Sequence, residues 1–436
     1  MEVFDLICSA LLVLTGIMVV HRHFYSIIGM FVKPVEYPET NKLGRYAIVI
    51  AARNEEAVIG NLLDSIHAQD YNLSLLTTFV VADNCSDNTA NVCRNKGAVV
   101  YERFNKDKAR KGYALEFLFD NIDADYGIDT FDGYFVFDAD NLLASNYVTE
   151  MNKAFMAGHD IITSYRKSKN FDTNFVSSAY GIHFHRNSMT LHRPRSAMEI
   201  GTHITGTGFL VAAHLLADGW PFHNLTEDDQ FTSFISAKGY KTAFCDAAEF
   251  YDEQPTDFST AYKQRLRWAK GRFTGFFQHG ASLFLGIFKH KSFTCYDMFT
   301  HYFPYGLVSL VVGVVYPICS VIYDIAYQGA YDYQNMINNI IIGVSGLYLS
   351  GLLMGILTVI REYNRINCSP LKLVAYTFLF PWFDLLSLPV LTLSLFQKVK
   401  WAPIVHKDTT RIADLPAGED IVCVNTKVIR QNVMIP

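Results

Sequence analysis

The chain is expected to fold as an α/β domain with a mostly parallel sheet, inserted between the transmembrane α-helices of an integral membrane protein. Three observations predict this. From about residue 44 to residue 280, short apolar runs bounded by turn residues alternate with amphipathic runs of helical period. Half of the 436 residues are apolar, and the excess gathers near the two ends, over 3–20, 302–323, 340–360 and 371–396, in runs of membrane or near-membrane length. Carboxylates and amides also cluster where the strand-like runs stop, and ligands of open α/β sheets collect at the carboxyl ends of the strands.

The first apolar run has no basic leader and no small-residue cleavage site, so it reads as an uncleaved anchor. Glu2 and Asp5 precede it, whereas His21, Arg22, His23 and Lys33 follow it. That asymmetry puts the amino terminus outside and the globular region in the cytoplasm. The expected division is an amino-terminal anchor (1–33), a cytosolic domain (44–280), an interfacial amphipathic helix (281–298), a transmembrane or interfacial channel region (299–397) and a cytosolic tail (398–436). A loop over 327–336 without Lys or Arg lies outside, and Arg361, Arg365 and Lys372 mark the return to the cytoplasm. The last apolar run holds Pro381 and Pro389 between basic flanks and is expected to be interfacial or re-entrant.

Within the domain, residues 46–51 form a buried strand that ends in Arg53-Asn54-Glu55-Glu56, and a helix over 57–69 follows. A strand over 76–82 runs into Asp83-Asn84-Cys85-Ser86-Asp87-Asn88-Thr89, a turn rich in capping residues. Strand 98–101, basic loop 106–111, helix 112–121 and strand 133–137 complete this half. Helix 146–156, strand 160–165, helix 175–191, a Gly and Thr run over 201–208 and strand 209–212 follow. Asp83, Asp138 and Asp140 all fall at strand ends.

A net charge of −5 argues against a general nucleic-acid surface. The 8 cysteines form no CxxC pair and read as reduced thiols, and the spacing of His183, His185, His192 and His203 fits no standard metal site.

Three short segments carry chemistry. Asp138-Ala139-Asp140 ends an apolar strand with two carboxylates that can share a hard divalent cation with a diphosphate. Thr226-Glu227-Asp228-Asp229 sets three carboxylates at a helix entrance, where one can act as a base. Gln264-Arg265-Leu266-Arg267-Trp268 places an amide, two guanidiniums and an indole on one helical turn, a set suited to holding phosphates and stacking a sugar. Each has a plainer use as a helix cap, a charge opposing a helix dipole or a structural cation–π pair. Together they describe sugar transfer from a nucleotide.

These residues resemble the membrane-embedded family 2 glycosyltransferases, the processive synthases of cellulose, hyaluronan, poly-N-acetylglucosamine and bacterial β-glucans. The resemblance covers residues 46–277 by motif and the remainder by layout. It implies a GT-A-type nucleotide-sugar domain in which Asn54, Glu55 and Asp83 hold uridine and Lys111 reaches the donor's phosphates or sugar. Asp138 and Asp140 would bind the nucleotide and a Mg²⁺ or Mn²⁺ ion. Asp228, with Glu227 beside it, matches the general base. Gln264, Arg265 and Arg267 would steady the departing diphosphate, Trp268 would lie under the acceptor's terminal sugar, and the loop with Thr205 and Gly206 would wall the acceptor side. Two departures stand out: ADNCSDNT lacks the paired acids of many members, and ITGTG lacks the cysteine of cellulose synthases.

The implied activity is inverting, processive polymerisation of a UDP-sugar, first UDP-glucose, into a β-linked polysaccharide that crosses the plasma membrane. The alternatives are a poly-N-acetylglucosamine or hyaluronan-like synthase, a non-processive enzyme with a lipid acceptor, and a non-catalytic scaffold. The expected partners are the donor, the growing polysaccharide and the bilayer.

Overall fold

Strand β1 (Tyr46–Ala52) sits mid-sheet because it is apolar on both faces. Tyr46, Ile48 and Ile50 pack with Leu62, Leu63 and Ile66 of helix Ile59–His67, while Ala47 and Val49 pack with Leu115, Leu118 and Phe119 of helix Lys111–Tyr126. The computed structural model describes residues 1–328, 332–404 and 406–415. Residues 329–331 of the expected outer loop and 416–436 of the expected tail lie outside the described residues.

Among the described residues, β1 is joined by β2 (Leu76–Asp83), β3 (Val99–Arg103), β4 (Gly133–Asp138), β5 (Leu142–Leu143), β6 (Ile161–Ser168), β7 (Phe209–Ala212) and β8 (Ala243–Asp252). Their spatial order is β3-β2-β1-β4-β7-β6-β8-β5. β1 to β4 are parallel, and Ala51 pairs with Asp138 while Ala52 pairs with Ala82, so the acidic ends of β2 and β4 flank the end of β1. β7 runs antiparallel between β4 and β6. It starts from the Gly-rich loop at the carboxyl edge of the sheet and can only run back.

Strand β8 was absent from the sequence-based expectation. Its Asp246, Glu249 and Asp252 interrupt the apolar pattern, but the fold pairs each: Asp246 with Arg193 and Arg365, Glu249 with Lys167 and Arg365, Asp252 with Arg166. The expected boundary at 280 also falls inside a helix, because Phe258–Lys289 runs unbroken from ahead of Gln264 to beyond it. A second helix, Phe293–Tyr302, follows. Phe277, Phe284, Leu285 and Phe288 are exposed along the distal part of the long helix, the apolar side expected of an interfacial segment.

Among the described residues, four segments are long and apolar enough to cross a bilayer: Glu2–Phe31, Tyr305–Tyr327, Tyr333–Arg365 and Pro370–Phe396. They flank the α/β domain on both sides in sequence. The last differs from the others, with 28% of its most apolar window buried against 6% in each of the first three. It is broken at Leu386 into helices Pro370–Leu385 and Ser387–Phe396, and it packs on the helices that carry Tyr180 and Trp268.

Candidate active site

The three acids after Thr226 open helix Glu227–Ala237, where the positive end of the helix favours carboxylates. Burial pushes Glu227 up to about 7 against the pull of Lys111, and burial with the charge of Asp228 does the same to Asp229. Asp228 is also shifted upward by burial, which strengthens it as a base. It faces the loop of Gly206: a Cβ there would lie 3.6 Å from Asp228 Oδ2, on a backbone with φ of 87°.

The long helix Phe258–Lys289 reaches this helix start through a missing side chain. A Cβ on Gly271 would stand 2.3 Å from Thr226 Oγ1, so the two helices meet at a separation that only glycine permits. One turn earlier, Arg267 Nη1 donates to Leu225 O at 2.9 Å. Trp268 and Asp228, distant in sequence, thereby line one cavity of about 380 Å³ with Asp138, Asp140, Lys111 and Gln264.

At the end of β4, Lys111 Nζ lies 2.5 Å from Asp138 Oδ1, 2.8 Å from Gly206 O and 3.7 Å from Glu227 Oε1. Burial disfavours its charge, but Asp138 and Glu227 outweigh this and its pKa is raised. Lys111 thus ties strand end, loop and helix start together. Asp140 is buried and its Oδ2 accepts from Glu253 N at 2.8 Å. Burial would raise its pKa, yet His406, Lys169 and that amide hold it below the ordinary value, so it stays ionised.

Among the described residues no group of three or more His, Cys, Asp or Glu side chains is arranged to hold a metal. Asp138 and Asp140 nonetheless suit a hard divalent cation. Both line the cavity, both offer carboxylate oxygens, and the Asp138 side chain remains 38% exposed despite Lys111, open to an ion that a diphosphate would help to coordinate.

The nucleotide end departs from expectation at Asn54. With φ of 57°, Asn54 accepts from Ser86 N at 2.8 Å on its side chain and donates its own N–H to Cys85 Sγ, so its amide joins two loops and is not among the residues lining the cavity. Asp83 and Glu55 do line it. Asp83 pairs with Arg103 at 2.5 Å. Glu55 meets His406 Nδ1 at 3.0 Å, and burial raises its pKa against that contact.

His406 was missed because its segment read as a basic flank. After the last apolar helix, residues 401–404 and 406–411 return across the cavity: Trp401 lies 5.5 Å from the Arg53 guanidinium, and Pro403, Ile404 and His406 contribute to the wall. Burial opposes the imidazolium, but Asp140 and Glu55 push it up to about 10. Arg166 and Arg272 were also missed. Arg166 donates to Thr205 O at 2.9 Å and to Asp252, and lies 3.9 Å over Phe184; Arg272 stands 3.5 Å from Asp229. Only their positions in the fold reveal them.

At the membrane end, Trp268 makes edge contacts with Tyr180 and Phe184. Among the described residues, Gln264 Oε1 is buried without a partner. Arg265, expected on the diphosphate, instead donates to Phe383 O at 2.6 Å and to Ser387 Oγ, and its guanidinium lies 4.0 Å over the Phe383 ring. Phe383, Ser387, Val390 and Leu391 of the last apolar segment complete the cavity wall. Of the histidines noted earlier, His185, His192 and His203 are buried and His183 lines the cavity; the His203 ring lies 4.7 Å from that of His192 and 4.4 Å from that of His301, and burial holds His192, His203 and His301 well below ordinary imidazole values.

A nucleotide-sugar-type sheet with acids at its carboxyl edge and a glycine-spaced helix pair over them is the layout of a GT-A glycosyltransferase. The family described as Glycosyltransferase like family 2 matches residues 44–271, and the chain belongs to it. Probable glycosyltransferase YdaM of Bacillus subtilis (strain 168) is 26% identical over 280 residues, which make up 61% of this chain and 63% of YdaM. The match therefore spans less than two thirds of that relative's length. Mannosyltransferase PcManGT from Pyrobaculum calidifontis, solved with GDP-Man and Mn²⁺, aligns with a TM-score of 0.55 at 15% identity, over 87% of this chain and 99% of that one. This last likeness is one of fold.

Proposed function

We propose that the protein transfers a sugar, with inversion, from a UDP-sugar to an acceptor that approaches from the membrane side, and that repeated transfer builds a β-linked polysaccharide, first of all a β-glucan from UDP-glucose. One observation carries this: Asp138, Asp140, Asp228, Arg267 and Trp268 line a single cavity whose far wall is the apolar segment Pro370–Phe396.

The donor's diphosphate lies against Lys111 and Arg267. An acceptor hydroxyl oxygen attacks the anomeric carbon while Asp228 takes the hydroxyl proton. The bond from that carbon to the phosphate oxygen breaks with its electron pair, and UDP departs. A divalent cation held by Asp138 and Asp140 would neutralise charge on the diphosphate, in keeping with the GDP-Man and Mn²⁺ of PcManGT. A single displacement turns the donor's α linkage into a β product. The uridine preference and glucose as first choice come from the resemblance of the motifs to bacterial β-glucan synthases.

A second reading, single transfer to a lipid-borne acceptor, is favoured by the exposure of the first three membrane segments, whose most apolar windows are only 6% buried. Product length separates the two. Purified protein in nanodiscs with Mg²⁺ or Mn²⁺ and each radiolabelled UDP-sugar, followed by linkage-specific hydrolases, tests the proposal. Transfer from none of the UDP-sugars would exclude the donor class.

A further inference from the structure

The QxxRW pattern is carried by Gln264, Arg267 and Trp268, which leaves Arg265 without a role of its own. We propose that Arg265 is a positioning residue for the acceptor: it fixes the break in the last membrane segment and, through Phe383 and Tyr180, the seat of Trp268. This rests on the cavity being the transfer site.

The break has a local cause. Pro389 has no N–H to return to Leu385 O, and Pro381 has already removed a bond about two turns earlier, so the helix parts at Leu386. Backbone opened at membrane depth needs partners from the protein. Arg265 reaches both sides of the break, donating to the backbone at Phe383 O ahead of it and to the Ser387 hydroxyl beyond it. A second guanidinium acts nearby: Arg186, on helix Phe175–Asn187, pairs with Asp384 and lies 5.0 Å over Phe380. Ionisable groups within membrane-length helices are costly and tend to mark function. Here the carboxylate of Asp384, in the last turn before the break, is paired with a guanidinium of the α/β domain.

The consequence reaches the acceptor platform through stacked rings. Phe383, under Arg265, packs edge-on against Tyr180 at 4.9 Å, and Tyr180 packs edge-on against Trp268 at 6.0 Å. Ser387, held by Arg265, and Val390, which packs with Leu266 and Ala269, are both in the cavity wall. Moving the break therefore moves the apolar wall and the indole together, while Asp138, Asp140 and Lys111 stay on the sheet. Arg265 also has two N–H groups and one face committed to the break, an arrangement unlike a guanidinium waiting for a diphosphate.

The test compares wild type, Arg265→Gln and Ser387→Ala in nanodiscs. UDP affinity is measured by calorimetry with Mn²⁺, and the partition of donor between transfer to an added β-gluco-oligosaccharide and hydrolysis is measured at saturating donor. For Arg265→Gln the expected result is a UDP Kd within about twofold of wild type and a transfer-to-hydrolysis ratio lowered about tenfold or more. Ser387→Ala should shift the ratio the same way by about two- to threefold. A UDP Kd weakened about tenfold by Arg265→Gln, with the ratio unchanged, would make Arg265 a diphosphate ligand and overturn the proposal. So would no change in either. Hydrogen exchange over 380–392 needs no donor or acceptor: faster exchange in both variants supports the clamp, and unchanged exchange refutes it. If Arg265→Gln does not fold, Ser387→Ala alone decides by the same measures. A wild type inert toward every UDP-sugar would count against the donor assignment and leave the exchange result to judge the clamp.

Discussion

The two ends of the cavity are built on different principles. At the donor end the acids sit on strand termini and are locked by short contacts: Asp83 to Arg103, Asp138 to Lys111, Asp140 to the backbone of Glu253. At the acceptor end the walls are helices from three parts of the chain, held by Gly271 against Thr226, Arg265 across a helix break and Arg186 on Asp384. A sheet edge fixes charge through the hydrogen-bonded strands, whereas the other end is fixed by side chains that bridge separate helices; if the proposed donor and acceptor lie at these two ends, substitutions should affect them separately.

The sharpest way to break that division is at the junction. Asp228→Asn should lower kcat by about 10²–10⁴-fold and leave UDP affinity unaltered, because the base acts only on the acceptor's proton; calorimetry beside a transfer assay checks both halves. Asp140→Asn should cost about 10²-fold and raise the Mn²⁺ concentration needed for half-maximal rate, an effect confined to the donor end. An unchanged metal titration would remove Asp140 from that role.

Gly271→Ala sharpens the comparison by separating two helices without touching a reacting group. The added Cβ at 2.3 Å from Thr226 Oγ1 should cost about 1–3 kcal/mol of stability, visible in thermal melts, and slow transfer more than it weakens UDP binding.

The smallest effect belongs to His406. Its folded pKa, raised to about 10 from the ordinary 6.5, means its contact with Glu55 and Asp140 contributes fully below about pH 6.5 and is lost as pH rises toward 10. The melting temperature of His406→Gln should approach that of wild type across this window. Curves that stay parallel would show that the imidazolium contributes no pH-dependent stability there.

The α/β alternation was legible because both faces of β1, β4 and the second half of β2 are buried, which leaves apolar runs that no other element explains, whereas β3 at the sheet edge is only half-buried. Asp138, Asp228 and Trp268, which line the cavity, stood out in the sequence because each sits in a dense polar motif. What was not legible depends on distant partners. The acids of β8 looked like loop until Arg193, Arg365, Lys167 and Arg166 were found beside them. Asn54 looked like a ligand group, yet Ser86 takes its carbonyl oxygen. Arg265 and Arg267 are equivalent in a helical turn of sequence, and only the path of the last membrane segment tells them apart.

The most direct test is the anomeric configuration of the first linkage formed, read by NMR on product from the UDP-sugar that the wild type accepts. A β linkage from the α-linked donor is the predicted outcome of one displacement with Asp228 as base. An α linkage would mean retention, and would contradict a single displacement with Asp228 as base.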